Sequence, residues 1–167
     1  MNQELQNKLY EKYPKIFAQK DLPKTQTAMC WGITCGDGWY DIIDTLCETI
    51  QNRIDEPEKL IEEKSDFMNS ALEDHDNDRA NYWAKEIKRQ ESRIIKQIEA
   101  VQVKEKFGKL CFYVNDYSCE EINYYIRFAQ GLTEKICEVC GNPGSKENYN
   151  GPWVKTVCKE HSEKIYE

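Results

Sequence analysis

The sequence predicts an α+β fold, mostly helical with a small antiparallel β-sheet, an inserted helical hairpin and a C-terminal zinc module of treble-clef or ribbon type. Three observations carry this expectation. No glycine lies between Trp39 and Phe107, whereas three fall in 32–38 and three in 141–151. Glycine marks turns and exposed backbone, so the middle is expected to be helical and the two clusters to be loops. Apolar residues keep helical spacing through most of that middle. Two Cys-x-x-Cys/His half-sites stand near the end of the sequence.

Leu5, Leu9 and Tyr13, each four apart and followed by Pro14, predict a short amphipathic helix. The stretch from Met29 to Tyr40 reads as a loop opening a second helix, with Asp37 as N-cap and Ile42, Ile43, Leu46, Cys47, Ile50 and Ile54 on its buried face. That helix is expected to stop near Asp55, because the residue before Pro57 is pushed out of helical geometry. Beyond it, Leu60, Ile61, Phe67, Met68, Ala71 and Leu72, then Ala80, Trp83, Ala84, Ile87, Ile94, Ile95 and Ile98, resume helical spacing around Asp74-His75-Asp76-Asn77-Asp78, which is rich in capping types. Residues 56–78 carry nine acids and two bases, and 79–98 two acids and six bases. Two such arms neutralise each other when folded back, which favours a hairpin over one long helix.

Val101 to Val114 alternates and is rich in β-branched and aromatic residues, with Gly108 as a turn or bulge between two strands. Ile122, Tyr125, Ile126, Ala129, Leu132 and Ile136 return to helical spacing over Glu120 to Ile136. The expected parts are an N-terminal helical part of the core (1–56), the inserted hairpin (57–100), a β-hairpin and helix completing the core (101–136) and the zinc module (137–167).

At 167 residues there is room for one domain with an appendage. Thirty acids against 23 bases give a charge of −7, a poor surface for gripping duplex DNA. No membrane-length apolar run, secretory core or transit pattern is present, so the expectation is a soluble protein in a reducing cytoplasm, its eight cysteines free of disulfides.

Cys137, Cys140, Cys158 and His161 form the strongest motif. Two half-sites separated by 17 residues supply four soft or borderline ligands, which suits one tetrahedral Zn²⁺ per chain. Four protein ligands leave no open coordination position, so the expected zinc is structural. Gly141 permits the tight turn that aims amides at sulfur. Cys30 and Cys35 have no histidine nearby and read as ordinary buried thiols. The alternating acids after Asp74 lack the glycine and glutamate of an EF-hand, because Arg79 and Lys85 stand at those positions. No P-loop, H-E-x-x-H, nucleophile elbow or dinucleotide fingerprint occurs, and His75 is the only histidine outside the zinc set. A non-enzymatic role is expected. The remaining chemistry is a ligand surface: Trp31, Gly36, Asp37, Gly38, Trp39 and Tyr40 would offer amides and an aromatic face, and Lys104, Lys106 and Lys109 would hold phosphate. The alternative is that these aromatics pack the core.

Trp31-Gly32 with Cys35-Gly-Asp-Gly-Trp39-Tyr40, Val103-Lys-Glu-Lys-Phe-Gly108 with Leu110 and Phe112-Tyr113, Cys137-x-x-Cys140-Gly-x-Pro-Gly144, and Trp153-x-Lys-Thr-x-Cys158-x-x-His161 together resemble a widespread family of small, largely uncharacterised bacteriophage and prophage zinc-binding proteins. The resemblance covers about 29–55 and 101–161, with the hairpin as an insertion. Where a basic residue often follows the Leu of the F-G-x-L segment in that group, Cys111 stands here. The resemblance implies a phage accessory protein in the cytoplasm of a bacterial host. Joined to the aromatic and glycine surface, it leads to three expectations. The first is capture of a small nucleotide-like signal, as a counter-defence sponge. The second is direct inhibition of a host protein, with the hairpin as its arm. The third is a nucleic-acid adaptor. A homodimer through the hairpin's apolar seam is also expected.

Overall fold

Asn2 starts the first helix by accepting the Leu5 N–H on its side chain at 3.0 Å. α1 (Gln3–Lys12) follows, with Leu9 and Tyr13 buried as the spacing predicts. In the structure, a computed structural model that describes residues 1–149 and 153–163, the chain divides into two compact units, Met1–Ile50 with Ile98–Glu167, and Gln51–Gln97. Gly151, expected in a loop, and residues 164–167 of the expected zinc module lie outside the described residues.

The first unit is built on a three-stranded sheet in the order β1 (Ile33–Thr34), β2 (Ala100–Glu105), β3 (Leu110–Val114). β2 and β3 pair antiparallel as expected, with Val103 opposite Phe112. β1 adds in parallel, with Ile33 opposite Val103, so the sheet is mixed rather than purely antiparallel. Two residues are too short a strand to show alternation in the sequence. The β2–β3 connection is a two-residue turn closed by Lys106 and Lys109, and both central residues have positive φ, 54° at Phe107 and 71° at Gly108. This is the hairpin turn whose twist matches the strands. Val103, Leu110 and Phe112 are buried with Trp39, Ile43, Leu46, Cys47 and Ile50.

α4 (Glu120–Thr133) packs on β3 and buries Ile122, Ile126, Ala129 and Thr133, one stripe at four- and three-residue spacing. The outer edge of β3 is stoppered by side chains. Thr133 Oγ1 accepts the Leu110 N–H at 3.0 Å, and the Tyr117 hydroxyl accepts that of Val114 at 3.1 Å. With the Leu110 and Val114 donors engaged, the two ends of this edge are a poor template for a further strand.

α2 (Tyr40–Glu73) corrects the expected break at Asp55: the helix continues through Pro57. Ile54, Pro57 and Ala71 are buried and Ile61, Lys64 and Met68 half-buried, a three-four alternation in which the proline ring takes an apolar position. Burial of that face outweighs the hydrogen bond the missing N–H removes. Asp37 is not the N-cap either. A 3₁₀ turn (Asp37–Trp39) precedes α2, and the Asp37 carboxylate receives the backbone N–H and the side-chain amide of Asn2, both at 2.7 Å.

In the second unit α2 ends at His75, whose φ of 58° lets the Asp76 N–H reach Ala71 O at 2.9 Å and the His75 N–H reach Leu72 O at 3.1 Å. Asp76 then caps α3 (Asn77–Glu91) by accepting the Arg79 N–H at 3.0 Å. Ala80 and Gln90 are buried and Trp83 and Ile87 half-buried on α3, and Phe67 stacks on Trp83 at 5.1 Å. Arg79–Asp74 (2.6 Å) and Arg93–Glu56 (2.7 Å) join the oppositely charged arms. The second arm stops at Glu91, short of the expected residue 100, and Ile94, Ile95 and Ile98 lie outside any helix. Ile98 is fully buried in the first unit, so its apolar character serves that core and not the hairpin seam.

Candidate metal centre

Cys137 and Cys140 sit on a tight knuckle after α4. Gly141, at φ +78°, returns its N–H to Cys137 O at 2.9 Å, and the Cys137 N–H reaches Asn142 O at 2.7 Å. β4 (Ser145–Tyr149) and β5 (Trp153–Val157) form an antiparallel hairpin, and Cys158 opens the short α5 (Lys159–Glu163) that carries His161. Knuckle, hairpin and helix in that order are the treble-clef arrangement. The ligand atoms of Cys137, Cys140, Cys158 and His161 all lie within 4.8 Å of one another, so the four can hold one metal ion. Cys140 Sγ is 3.8 Å from Cys158 Sγ, and His161 Nδ1 is 3.6 Å from Cys137 Sγ and 3.2 Å from Cys158 Sγ.

The electrostatics fit a cation. Burial works against a Cys137 thiolate, yet the amides of Cys158, Cys140 and Val139 point at the sulfur and hold the thiol down to about 7. At Cys140 the Asn142 amide acts the same way, but burial and the sulfurs of Cys137 and Cys158 outweigh it and leave that thiol raised. Sulfurs this close cannot all ionise unless a positive charge stands between them. Cys35, by contrast, is buried without such help, and burial pushes its thiol up to about 12. Cys30 donates to Thr27 O at 3.3 Å. Among the described residues no second metal cluster includes either of them.

The residues expected to form a ligand pocket are placed differently. Trp39 is 0% exposed and its indole N–H donates to Ile136 O at 2.8 Å, so it has no face to offer a base. The Gly36 N–H donates to the Glu138 carboxylate and the Gly38 N–H to Glu138 O, both at 2.8 Å, so these amides are spent on the knuckle. A Cβ on Gly36 would collide with Glu138 O, and one on Gly38 with Cys137 O and Gly141 N. Cys35-Gly-Asp-Gly-Trp39 is therefore a cradle for the metal knuckle. Asp37 is bound to Asn2 and Tyr40 begins α2. Lys104 lies over Tyr113, Lys106 over Phe107, and Lys109 pairs with Glu134 at 3.2 Å.

Gly108 joins the same assembly. Its carbonyl accepts the buried Thr156 hydroxyl at 2.5 Å, and a Cβ there would press on Lys155 and Thr156 at 3.1–3.2 Å. Glu138, which the motif pattern does not single out, is the hub: it is buried, binds Gly36, accepts Lys155 Nζ at 3.3 Å, and donates its own N–H to Thr156 O at 2.8 Å. An acid between two ligand cysteines was the available signal.

Two concavities of the first unit bear on function. Trp31, 67% exposed, borders a polar cleft of about 530 Å³ with Gln3, Gln6, Asn7, Tyr10 and Lys20. An apolar groove of about 450 Å³ runs between α2 and α4, walled by Ile42, Leu46, Tyr125, Phe128, Ala129 and Leu132. Phe128 stands 69% exposed at its α4 side, and Tyr124, one turn earlier on α4, is 70% exposed. Sequence reasoning missed both aromatics, although α4 carries more apolar residues than one buried stripe uses. Comparison with protein-family models, curated proteins and solved structures found no match.

Proposed function

We propose that the chain is a non-enzymatic, zinc-stabilised interaction protein that binds another protein through the α2–α4 groove. The observation that carries this reading is the groove: two helices leave an apolar channel with Phe128 exposed and Tyr125 half-buried along it, beyond what a monomer's surface needs. Zinc is supported by the donor set and its spacing. Bonds of about 2.3 Å to sulfur and about 2.0 Å to nitrogen at tetrahedral angles give S···S edges near 3.8 Å and S···N edges of about 3.5 Å. Cys140 and Cys158 at 3.8 Å and Cys137 and His161 at 3.6 Å lie near these edges, Cys158 and His161 at 3.2 Å are closer, and the whole set spans up to 4.8 Å. The ion would hold the module closed and supply no reaction. The motif resemblance supports a phage accessory role in the cytoplasm of a bacterial host, where the target would be a host protein.

The test is capture of a partner from infected cells by the wild-type chain, followed by direct binding of that purified partner to wild type and to Phe128→Asp. Loss of binding in the variant, with its zinc retained, is expected. A partner held equally by both would move the site elsewhere. The Trp31 cleft sustains a second reading, capture of a small nucleotide-like ligand, because an exposed indole beside the carboxamides of Gln3, Gln6 and Asn7 is a stacking platform; Lys20 there is paired with Asp21 and Glu11 also lines the cleft, so stacking would carry the binding. A nucleotide at a hundred times its dissociation constant would then stabilise the protein by about 2.7 kcal/mol, and Trp31→Ala would abolish the shift.

A further inference from the structure

We infer that the groove's occupant is a basic amphipathic helix of a different protein; this rests on the interaction reading above. Backbone chemistry selects a helix. Both walls are helices whose main-chain groups are engaged internally, and two donors of the neighbouring β3 edge are taken by Thr133 and Tyr117. Thr49, on the floor, already donates its hydroxyl to Thr45 O at 2.8 Å. A segment buried there finds no main-chain ladder, only side chains such as those of Asp41, Thr45 and Thr49, and must satisfy most of its own N–H and C=O groups, which a helix does and an extended strand does not.

Charge selects the flanks. Asp41 lines the groove. Glu48 follows Thr45 by three residues and Glu121 precedes Tyr125 by four, so each shares a wall's face, and Glu121 accepts the Tyr125 hydroxyl at 2.7 Å. On the cationic side Arg53 follows Thr49 by four residues and donates to Arg93 O at 3.1 Å, Lys135 follows the end of α4, and the Arg127 guanidinium lies over the Tyr124 ring at 4.9 Å. The charged side chain that lines the groove, Asp41, is acidic, as is the chain at −7. Lysine or arginine beside an apolar stripe complements it. A second copy of this chain would bring the same acids to the same place, so like-charge repulsion disfavours self-pairing.

The test uses the intact zinc-loaded chain and three synthetic stapled helices that share one leucine stripe and differ in polar faces of lysine, glutamine or glutamate. Binding is read by fluorescence anisotropy and by methyl NMR shifts of Ile42, Leu46 and Leu132. The lysine-faced helix is expected to bind about tenfold or more tighter than the glutamate-faced one, to weaken with salt, and to lose about tenfold with Phe128→Ala. The pair Glu48→Lys and Glu121→Lys should reverse the preference. Equal binding of all three helices at these methyls would overturn the basic occupant and leave the interaction reading standing. No methyl shift with any helix would overturn both. Concentration-dependent dimers abolished by Phe128→Ala would make a second copy the occupant and refute the inference.

Discussion

Between Ile54 and Gln90 the hairpin spreads its specification over many positions at three- and four-residue spacing. The metal module concentrates its specification in Cys137, Cys140, Cys158 and His161 and in glycines with no room for a Cβ. A distributed apolar stripe degrades gradually when one member is lost. A four-ligand site does not, because its binding free energy is the local folding free energy. Specification by pattern and specification by coincidence of a few residues thus leave different mutational signatures in one chain.

The largest expected effect is removal of the metal. Chelation, or Cys158→Ser, should strip hydrogen-exchange protection from the amides of Glu138, Gly141 and Gly144 and from β4 and β5, while the amides of α3 keep theirs. Loss of protection throughout both regions would erase the contrast.

Next comes Gly38→Ala. The added methyl meets backbone atoms, Cys140 N at 2.7 Å among them, so a cost of about 3 kcal/mol is expected in denaturant unfolding. A cost below about 1 kcal/mol would mean that the knuckle moves freely in its cradle.

Trp83→Ala should cost less despite deleting a far larger side chain, about 2 kcal/mol, because the indole is half-buried between Phe67 and Lys64. A loss exceeding that of Gly38→Ala would show the hairpin to depend on one residue after all.

Gly131 provides the smallest effect and the control. It lies in α4, where an added methyl would meet nothing within 4 Å, so Gly131→Ala should stabilise by about 0.5–1 kcal/mol in the same unfolding measurement. Destabilisation there would contradict the open surface around Gly131.

What could be read in advance follows the same division. The four metal ligands were legible because each half-site is local in sequence, and the charge-opposed arms were legible because periodicity and charge are sums over many residues. Pro57 misled because a local rule about the preceding residue lost to burial of the helix face it shares with Ile54 and Ile61. Gly36, Gly38 and Trp39 were read as loop and ligand face because nothing local reveals that Glu138, about a hundred residues later, takes up the amides. Tyr124 and Phe128 were overlooked for the opposite reason: once Ile122, Ile126 and Ala129 had explained a helix, a second apolar face added nothing to the pattern.

The central claim is that one zinc closes the module against its glycine cradle. Native mass spectrometry of the intact chain, freshly purified without added metal, tests it most directly. One zinc per chain is predicted, with none retained by Cys140→Ser and the helical circular-dichroism signal of the hairpin largely preserved in that variant. Metal-free wild-type protein with a fully protected β4–β5 hairpin, or zinc held undiminished by Cys140→Ser, would contradict the account.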